Sequence, residues 1–292
     1  MDKNKVLTGV VTYNRKAELM HLLKCLDKTC SVYDVLIIDN ASNYDVSKTV
    51  ANLSFEKIKV KIIRLDDNFG GAGGFKKIFE EFGMTRHKYL WVMDDDGFPE
   101  KNCLKKLLSA IKNFDVVGPL VESTENDGTL SFKLRINKNI IEKKGEIKKQ
   151  YIENLLNPFN GTLIKRDVVK EVGCPDEKYF IWGDEVEWLL RLKKNKKKIC
   201  VATDSVFYHP VNRLKITGTD KLWCLNNSSL KVYCFYRNQV NMRKRHCGKL
   251  KLLLWVARAA LATVIYSDQK ALTFKAMYDG LVENWGLHRD YL

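Results

Sequence analysis

Three consecutive carboxylates close an apolar run: Leu90, Trp91, Val92 and Met93 lead directly into Asp94, Asp95, Asp96 and Gly97. Burying adjacent carboxylates costs roughly several kcal/mol per charge unless a cation compensates. In extended backbone, residues i and i+2 point the same way, so Asp94 and Asp96 are expected to grip one ion together. Oxygen donors of this kind suit Mg²⁺ or Mn²⁺, which in turn would hold a diphosphate. A solvated acidic turn is the plainer alternative, and the apolar strand ahead of the triplet weakens it. His209, just past the β-rich run Val206 to Tyr208, offers the acidic cluster a further ligand.

Two other segments carry chemical signals. Residues 68–75 read Asn-Phe-Gly-Gly-Ala-Gly-Gly-Phe, with four glycines in five positions. Such a run lets backbone approach a ligand closely, and it opens a helix whose first N–H groups favour anions. It is neither a Walker loop nor a dinucleotide fingerprint. In the second segment, Tyr179, Phe180, Ile181 and Trp182 precede Gly183 and the acids Asp184, Glu185 and Glu187. Acids in a first helical turn are common for dipole reasons alone. The functional reading is a general base beside an aromatic wall.

These groups need a scaffold that brings them to one edge. Val6–Thr12, Val35–Ile38, Val60–Leu65 and Tyr89–Met93 read as strands. Between them, Leu19, Leu22, Leu23 and Leu26, then Phe75, Ile78, Phe79 and Phe82, repeat at helical spacing, and Leu104, Leu107, Leu108 and Ile111 do so after the fourth strand. The alternation predicts an α/β fold with a mostly parallel sheet flanked by helices, in which ligands sit beyond the carboxyl ends of the strands. Asn14, Arg15, Asp39, Asn68 and the triplet all fall there. Residues 121–150 suggest a loop or hairpin insertion. The chain divides into a catalytic domain over 1–220 and a helical region over 221–292. Within the latter, residues 250–266 are strongly apolar but carry Lys251 and Arg258. That run reads either as a helix packed on the catalytic domain or as one lying in a membrane interface, with basic residues ahead of it suited to anionic headgroups.

Composition narrows the partners. Fifty Lys and Arg against thirty-five Asp and Glu leave a formal charge of +15, which favours an anionic partner such as a phosphate-bearing substrate, a membrane surface or nucleic acid. No DNA- or RNA-binding module is recognisable, and the acidic triplet would oppose phosphate without a metal, so nucleic acid is not an expected partner. The eight cysteines form no CxxC pair and no zinc pattern. With no secretory signal ahead of the first strand, they are expected to be reduced thiols in a cytoplasmic protein. The oligomeric state stays open.

The residues from Val10 to Arg15, strand-ending Asp39, the Asp94–Gly97 turn and the Asp184–Trp188 segment, in this order, resemble family 2 glycosyltransferases of the GT-A fold over roughly residues 5–240. The 68–75 string and the triple aspartate resemble the galactofuranosyltransferase branch. The resemblance implies an inverting, metal-dependent transfer from UDP-galactofuranose to a glycan or polyprenyl-diphosphate-linked acceptor in surface polysaccharide synthesis, cytoplasmic or peripheral at the inner face of the membrane. It implies that Thr12, Asn14, Arg15, Asp39, Asn68, Gly71, Gly74, Asp94 and Asp95 hold the nucleotide sugar. Asp94, Asp96 and His209 would bind Mg²⁺ or Mn²⁺, Trp182 would stack on sugar, and Glu185 or its neighbour Asp184 would be the base. The rivals are rhamnosyl transfer from dTDP-rhamnose, nucleotidyl transfer to a sugar phosphate, and a basic nucleic-acid-binding protein.

Overall fold

The computed structural model describes residues 5–125, 127–136, 139–211 and 214–292. Its first half alternates as expected: β1 (Val6–Thr12), α1 (Lys16–Lys28), β2 (Asp34–Asp39), α2 (Val46–Ala51), β3 (Lys59–Arg64), α3 (Gly70–Gly83) and β4 (Tyr89–Asp94). The strands lie parallel in the order β3-β2-β1-β4. Their register aligns Thr12 with Asp39, and Val11 with Asp94, so the three strands end on one line. That line is the carboxyl edge at which an α/β sheet binds ligands.

The second half extends the sheet with mixed polarity. It runs through β5 (Phe98–Pro99), α4 (Cys103–Ala110), β6 (Val116–Ser123), β7 (Thr129–Ile136), β8 (Asn139–Lys143), β9 (Tyr151–Glu153), β10 (Asn160–Lys165), α5 (Arg166–Val172), α6 (Asp184–Lys194) and β11 (Ile199–His209). β10 sits antiparallel between β4 and β6, and β11 runs parallel to β6. The hairpin expected within 121–150 is β7 with β8.

Side chains at helical spacing fill both faces. Leu19, Leu22, Leu23 and Leu26 of α1 share one core with Leu104 and Leu107 of α4. Phe75, Ile78, Phe79 and Phe82 of α3 share the opposite core with Val168 and Trp188. Fully burying each such side chain contributes roughly 1.5–3 kcal/mol.

The C-terminal region comprises the short hairpin β12 (Ile216–Gly218) and β13 (Trp223–Leu225), then α7 (Ser229–His246), α8 (Lys249–Tyr266) and α9 (Lys270–Val282). Tyr233, Tyr236 and Val240 of α7 pack with Ala276 and Met277 of α9 and with Phe180, just ahead of α6. The helices are thus anchored on the segment that leads into α6. Among the described residues, no helix is long and apolar enough to cross a membrane.

Candidate active site

The acidic triplet differs from its sequence expectation in one respect. β4 ends at Asp94, and Asp95 and Asp96 lie in the turn that follows. The i, i+2 rule of extended backbone therefore does not describe Asp94 and Asp96, although Asp96 is the strongest charge acting on Asp94, and Asp95 and Asp96 share Arg15. Asp95 is 4% exposed; it accepts from the Thr12 hydroxyl at 2.7 Å and from Arg15 Nη1 at 3.2 Å. Asp96 accepts from Arg15 through Oδ2, while its Oδ1 faces His209 Nε2 at 3.2 Å. β5 makes that meeting possible: it pairs antiparallel with β11, setting Phe98 opposite Tyr208 and drawing the end of the triplet onto the end of β11. Gly97 is required for this closeness, since a Cβ there would stand 2.3 Å from the Phe207 ring.

The electrostatics call for positive charge. Burial, then the charges of Asp96 and Asp95, push Asp94 well above the usual carboxylate range, with Glu185 adding to the effect. Burial pushes Asp95 up to about 6 against the opposing pull of Thr12 and Arg15. Burial also opposes ionisation of Asp96, but His209 and Arg15 overcome it and hold that carboxyl down at about 2. Burial and the charge of Glu185 raise Asp184 well above its ordinary range, and Asp94 contributes. The acids of β4 and α6 therefore sense one another as a single negative cluster.

The residues present fit a divalent cation. His209 Nδ1 lies 2.7 Å from the Pro210 carbonyl, an acceptor only, so Nδ1 carries the proton in this contact. Nε2 faces Asp96 Oδ1 at 3.2 Å, so a doubly protonated ring pairs with that carboxylate, and a neutral ring would leave Nε2 a lone pair free for a cation. A cation shared between Nε2 and Oδ1 would take the place of that proton, and the Nδ1–carbonyl bond is the kind of support that orients a ligating histidine. Among the described residues, no three His, Cys, Asp or Glu side chains converge on one point. The assembled pair is Asp96 with His209, and the Arg15 guanidinium lies against Asp95 and Asp96.

The other expected contacts are largely committed to building the edge. Asp39, 1% exposed, accepts from Ser42 N at 2.9 Å and from Arg64 Nη1 at 2.8 Å. Asn14 accepts from Asn43 N at 2.6 Å and donates its backbone N–H to Ser42 Oγ. Asn68 Oδ1 accepts from Gly70 N and from Asn40 Nδ2, both at 2.9 Å. Asn40 is one residue that sequence reasoning missed: buried, it also donates to the Gly70 carbonyl and accepts from Phe69 N. Its only signal was its place directly after a strand-ending aspartate. Gly71 opens onto free space at the start of α3, as a backbone anion site requires. Gly74 does not belong with it. A Cβ there would stand 2.5 Å from Val11 Cγ1, so this glycine serves close packing of α3 on β1.

The segment before α6 is held in unusual backbone. Phe180, Trp182 and Gly183 take φ of 64°, 58° and 121°. Non-glycine residues in this region cost about 1–3 kcal/mol each and persist only where the surroundings impose them. Here α7 imposes them. Asn238, fully buried, places Nδ2 2.8–2.9 Å from the carbonyls of Tyr179, Ile181 and Trp182. Fully buried Arg237 donates to the carbonyls of Lys178 and Tyr179 and, through Nε, to Asn238 Oδ1. From the other side, Ala72 N of α3 donates to Phe180 O at 3.0 Å. The clamped loop presents buried Asp184 and half-buried Glu185, whose Oε2 accepts from Gly183 N at 2.9 Å. Trp182 lies under Lys231, whose Nζ is 5.3 Å from the ring centroid. Glu187 is structural, bound by Arg191 and His246. Asn238→Ala is accordingly expected to lower turnover about tenfold or more with little change in nucleotide affinity, because the strained loop loses its donors. Steady-state kinetics paired with a UDP titration checks this. An equal loss in both would mean the loop shapes the nucleotide site instead.

Comparison with known proteins agrees with this architecture. The curated galactofuranosyltransferase GlfT1 of Mycobacterium tuberculosis H37Rv is 28% identical over 215 residues, 70% of each chain. The dTDP-rhamnosyl transferase RfbF of Shigella flexneri is 24% identical over 281 residues, 91% of this chain and 90% of its own. Among solved structures, GalNAc-T7 with UDP, GalNAc and Mn²⁺ superposes with a TM-score of 0.64 at 14% identity, over 96% of this chain and 56% of that one. The fold is that of the GT-A glycosyltransferases. The model of glycosyl transferase family 2 matches residues 8–173, from the first strand through the triplet to the end of α5. That match covers more than half of the chain, which belongs to glycosyl transferase family 2 and resembles its galactofuranosyltransferase branch.

Proposed function

We propose that this glycosyltransferase moves galactofuranose from UDP-galactofuranose, with inversion, to a glycan or polyprenyl-diphosphate-linked acceptor in surface polysaccharide synthesis. The single observation that carries the reading is the carboxylate cluster spanning β4 and α6, with Asp96 turned to Nε2 of His209. Asp96 and His209, with Asp94 alongside, would hold Mg²⁺ or Mn²⁺. A bound ion would supply charge stabilisation to the departing diphosphate. Glu185 takes the proton of the acceptor hydroxyl as that oxygen bonds to the sugar's anomeric carbon from the face opposite the nucleotide. The bond from the anomeric carbon to the diphosphate oxygen breaks, and UDP leaves with the electron pair. Asp184 keeps Glu185 company as a neutral acid, and the Gly183–Asp184 turn fixes where the base sits. Thr12 and Arg15 set Asp95, and Gly71 offers backbone N–H to the phosphates. Trp182 and its Lys231 neighbour line the sugar or acceptor side. The enzyme works at the inner face of the cell membrane, where a lipid-linked acceptor is met.

Transfer of rhamnose from dTDP-rhamnose is the second reading. RfbF aligns over 91% of the chain and so reaches the C-terminal helices, although at lower identity. Incubation with each nucleotide sugar and a lipid-linked glycan acceptor, read by product mass, separates the two. The expected product gains one hexose from UDP-galactofuranose. A deoxyhexose gained from dTDP-rhamnose alone would overturn the donor assignment and leave the site chemistry intact.

A further inference from the structure

A surface helix normally turns a polar face to water. α8 does not. Its buried face carries Ala259, Ala262 and Thr263, yet Leu250, Leu253, Leu254, Leu261, Val264 and Ile265 stand exposed on the other side, Leu250 at 70% and Leu254 at 62%. At about 100° per residue these six, with Ala257 among them, fill one arc of about 120°. Arg258 and Lys251 fall just past one edge of the arc, and Lys249 lies beyond the other. α9 repeats the layout: Phe274, Tyr278, Leu281 and Val282 are exposed, with Lys275 and Lys270 on the two flanks. α8 contains three basic residues and no acid, and the one acid of α9, Asp279, is buried against Tyr233 and paired with Lys275 at 3.5 Å, which leaves Lys249, Lys251, Arg258 and Lys270 as the other basic residues of the two helices. The two helices pack on each other.

We infer that α8 and α9 form a monotopic docking face for an anionic lipid bilayer, lying in the interface plane and not crossing it. The apolar arcs enter the acyl boundary while the flanking lysines and arginines reach the headgroups, as amphipathic side chains do. Charge complementarity selects this occupant. A second copy on the same face would bring the same cations together, whereas an anionic headgroup layer neutralises them, at about 1 kcal/mol per basic residue near the surface. α8 is about 27 Å long, enough to lie across several headgroups. The inference extends the reading above, since a lipid-linked acceptor would be met on this plane.

The test is sedimentation of the full chain with vesicles of phosphatidylglycerol and phosphatidylcholine, against pure phosphatidylcholine, with UDP and Mn²⁺ titrated into the same preparations. The wild type is expected to sediment with anionic vesicles and less with neutral ones, and salt is expected to weaken it. Leu254→Glu with Val264→Glu, at positions 62% and 54% exposed, should lower partitioning about tenfold or more with an unchanged melting temperature. Lys251→Glu with Arg258→Glu should erase the preference for anionic lipid. The inference is overturned if the wild type ignores vesicles, if the variants bind them equally well, or if the face proves to join two copies, read as a dimer that the same glutamates dissociate. Loss of UDP binding alone, with vesicle binding intact, would sink the active-site reading and leave the surface standing.

Discussion

Replacing Glu185 by glutamine is expected to cut kcat about 10²–10⁴-fold while UDP affinity changes by less than about threefold. The substitution keeps the shape of the site: the amide oxygen of glutamine still accepts from Gly183 N, so the first turn of α6 retains its geometry. What is lost is the charge that, in the proposed mechanism, takes the acceptor's proton. Asp184→Asn is expected to be far milder, within about tenfold of wild type. Asp184 is 5% exposed, and burial together with the charge of Glu185 favours its neutral form, which asparagine imitates. The melting temperature separates chemistry from folding. Glu185→Gln removes one member of a repelling carboxylate cluster and should leave stability level or slightly higher, as substitutions at strained active sites often do. Rapid-quench measurement of sugar transfer with saturating donor reads the chemical step directly. Near-normal turnover in Glu185→Gln combined with a collapse in Asp184→Asn would exchange the two roles.

Much of the architecture is legible from periodicity because it is local. The leucines of α1 and the phenylalanines of α3 declare buried helix faces, and both stripes are buried on opposite sides of the sheet. The strand ends at Thr12, Asp39 and Asp94 follow from where apolar runs stop, and parallel register sets them on one line. What fails is whatever depends on a turn or a distant partner. Asp94 and Asp96 are expected on one side of an extended segment, but the backbone leaves β4 at Asp94; Asp96 meets His209, which the sequence reading also offers as its partner, across 113 positions where β5 folds back on β11. Gly71 and Gly74 look alike in the glycine run, yet one opens to space and the other fits the side chain of Val11. Arg237 and Asn238 are the clearest omission. In the sequence they are two polar residues of an ordinary helix, and their role appears only once α7 is laid against residues 178–182, more than fifty positions earlier. The helical region over 221–292 is therefore more than an appendage: it holds the backbone that leads into Asp184 and Glu185.

Asp96→Asn and His209→Ala are each expected to lower turnover about 100-fold or more and to abolish stabilisation of the UDP complex by divalent cation. The wild type should melt higher with Mn²⁺ and UDP together than with either alone. At 100 times the dissociation constant, the gain is about 2.7 kcal/mol, or roughly 4–5 °C for a chain of this size. The pH dependence gives the sign. Asp94, Asp95 and Asp184 all have folded-state pKa values raised above their ordinary ones, Asp95 to about 6. A group raised in this way stabilises the fold when it is protonated, and that contribution disappears as pH rises through its folded pKa. For Asp95 the loss runs from the ordinary value of 3.8 to about 6. Asp96 behaves oppositely: held at about 2, it withdraws its contribution only as pH falls below its ordinary range towards that value. Between about pH 4 and 7, rising pH thus exposes the metal-free protein to growing repulsion within the cluster, and a cation that replaces the departing protons relieves it. The melting shift from Mn²⁺ with UDP should therefore be small near pH 5 and grow towards pH 7.5, with protons released on binding and detectable by calorimetry in buffers of different ionisation heat. A shift independent of pH, or one that survives in Asp96→Asn, would place the cation somewhere other than the carboxylates at the end of β4.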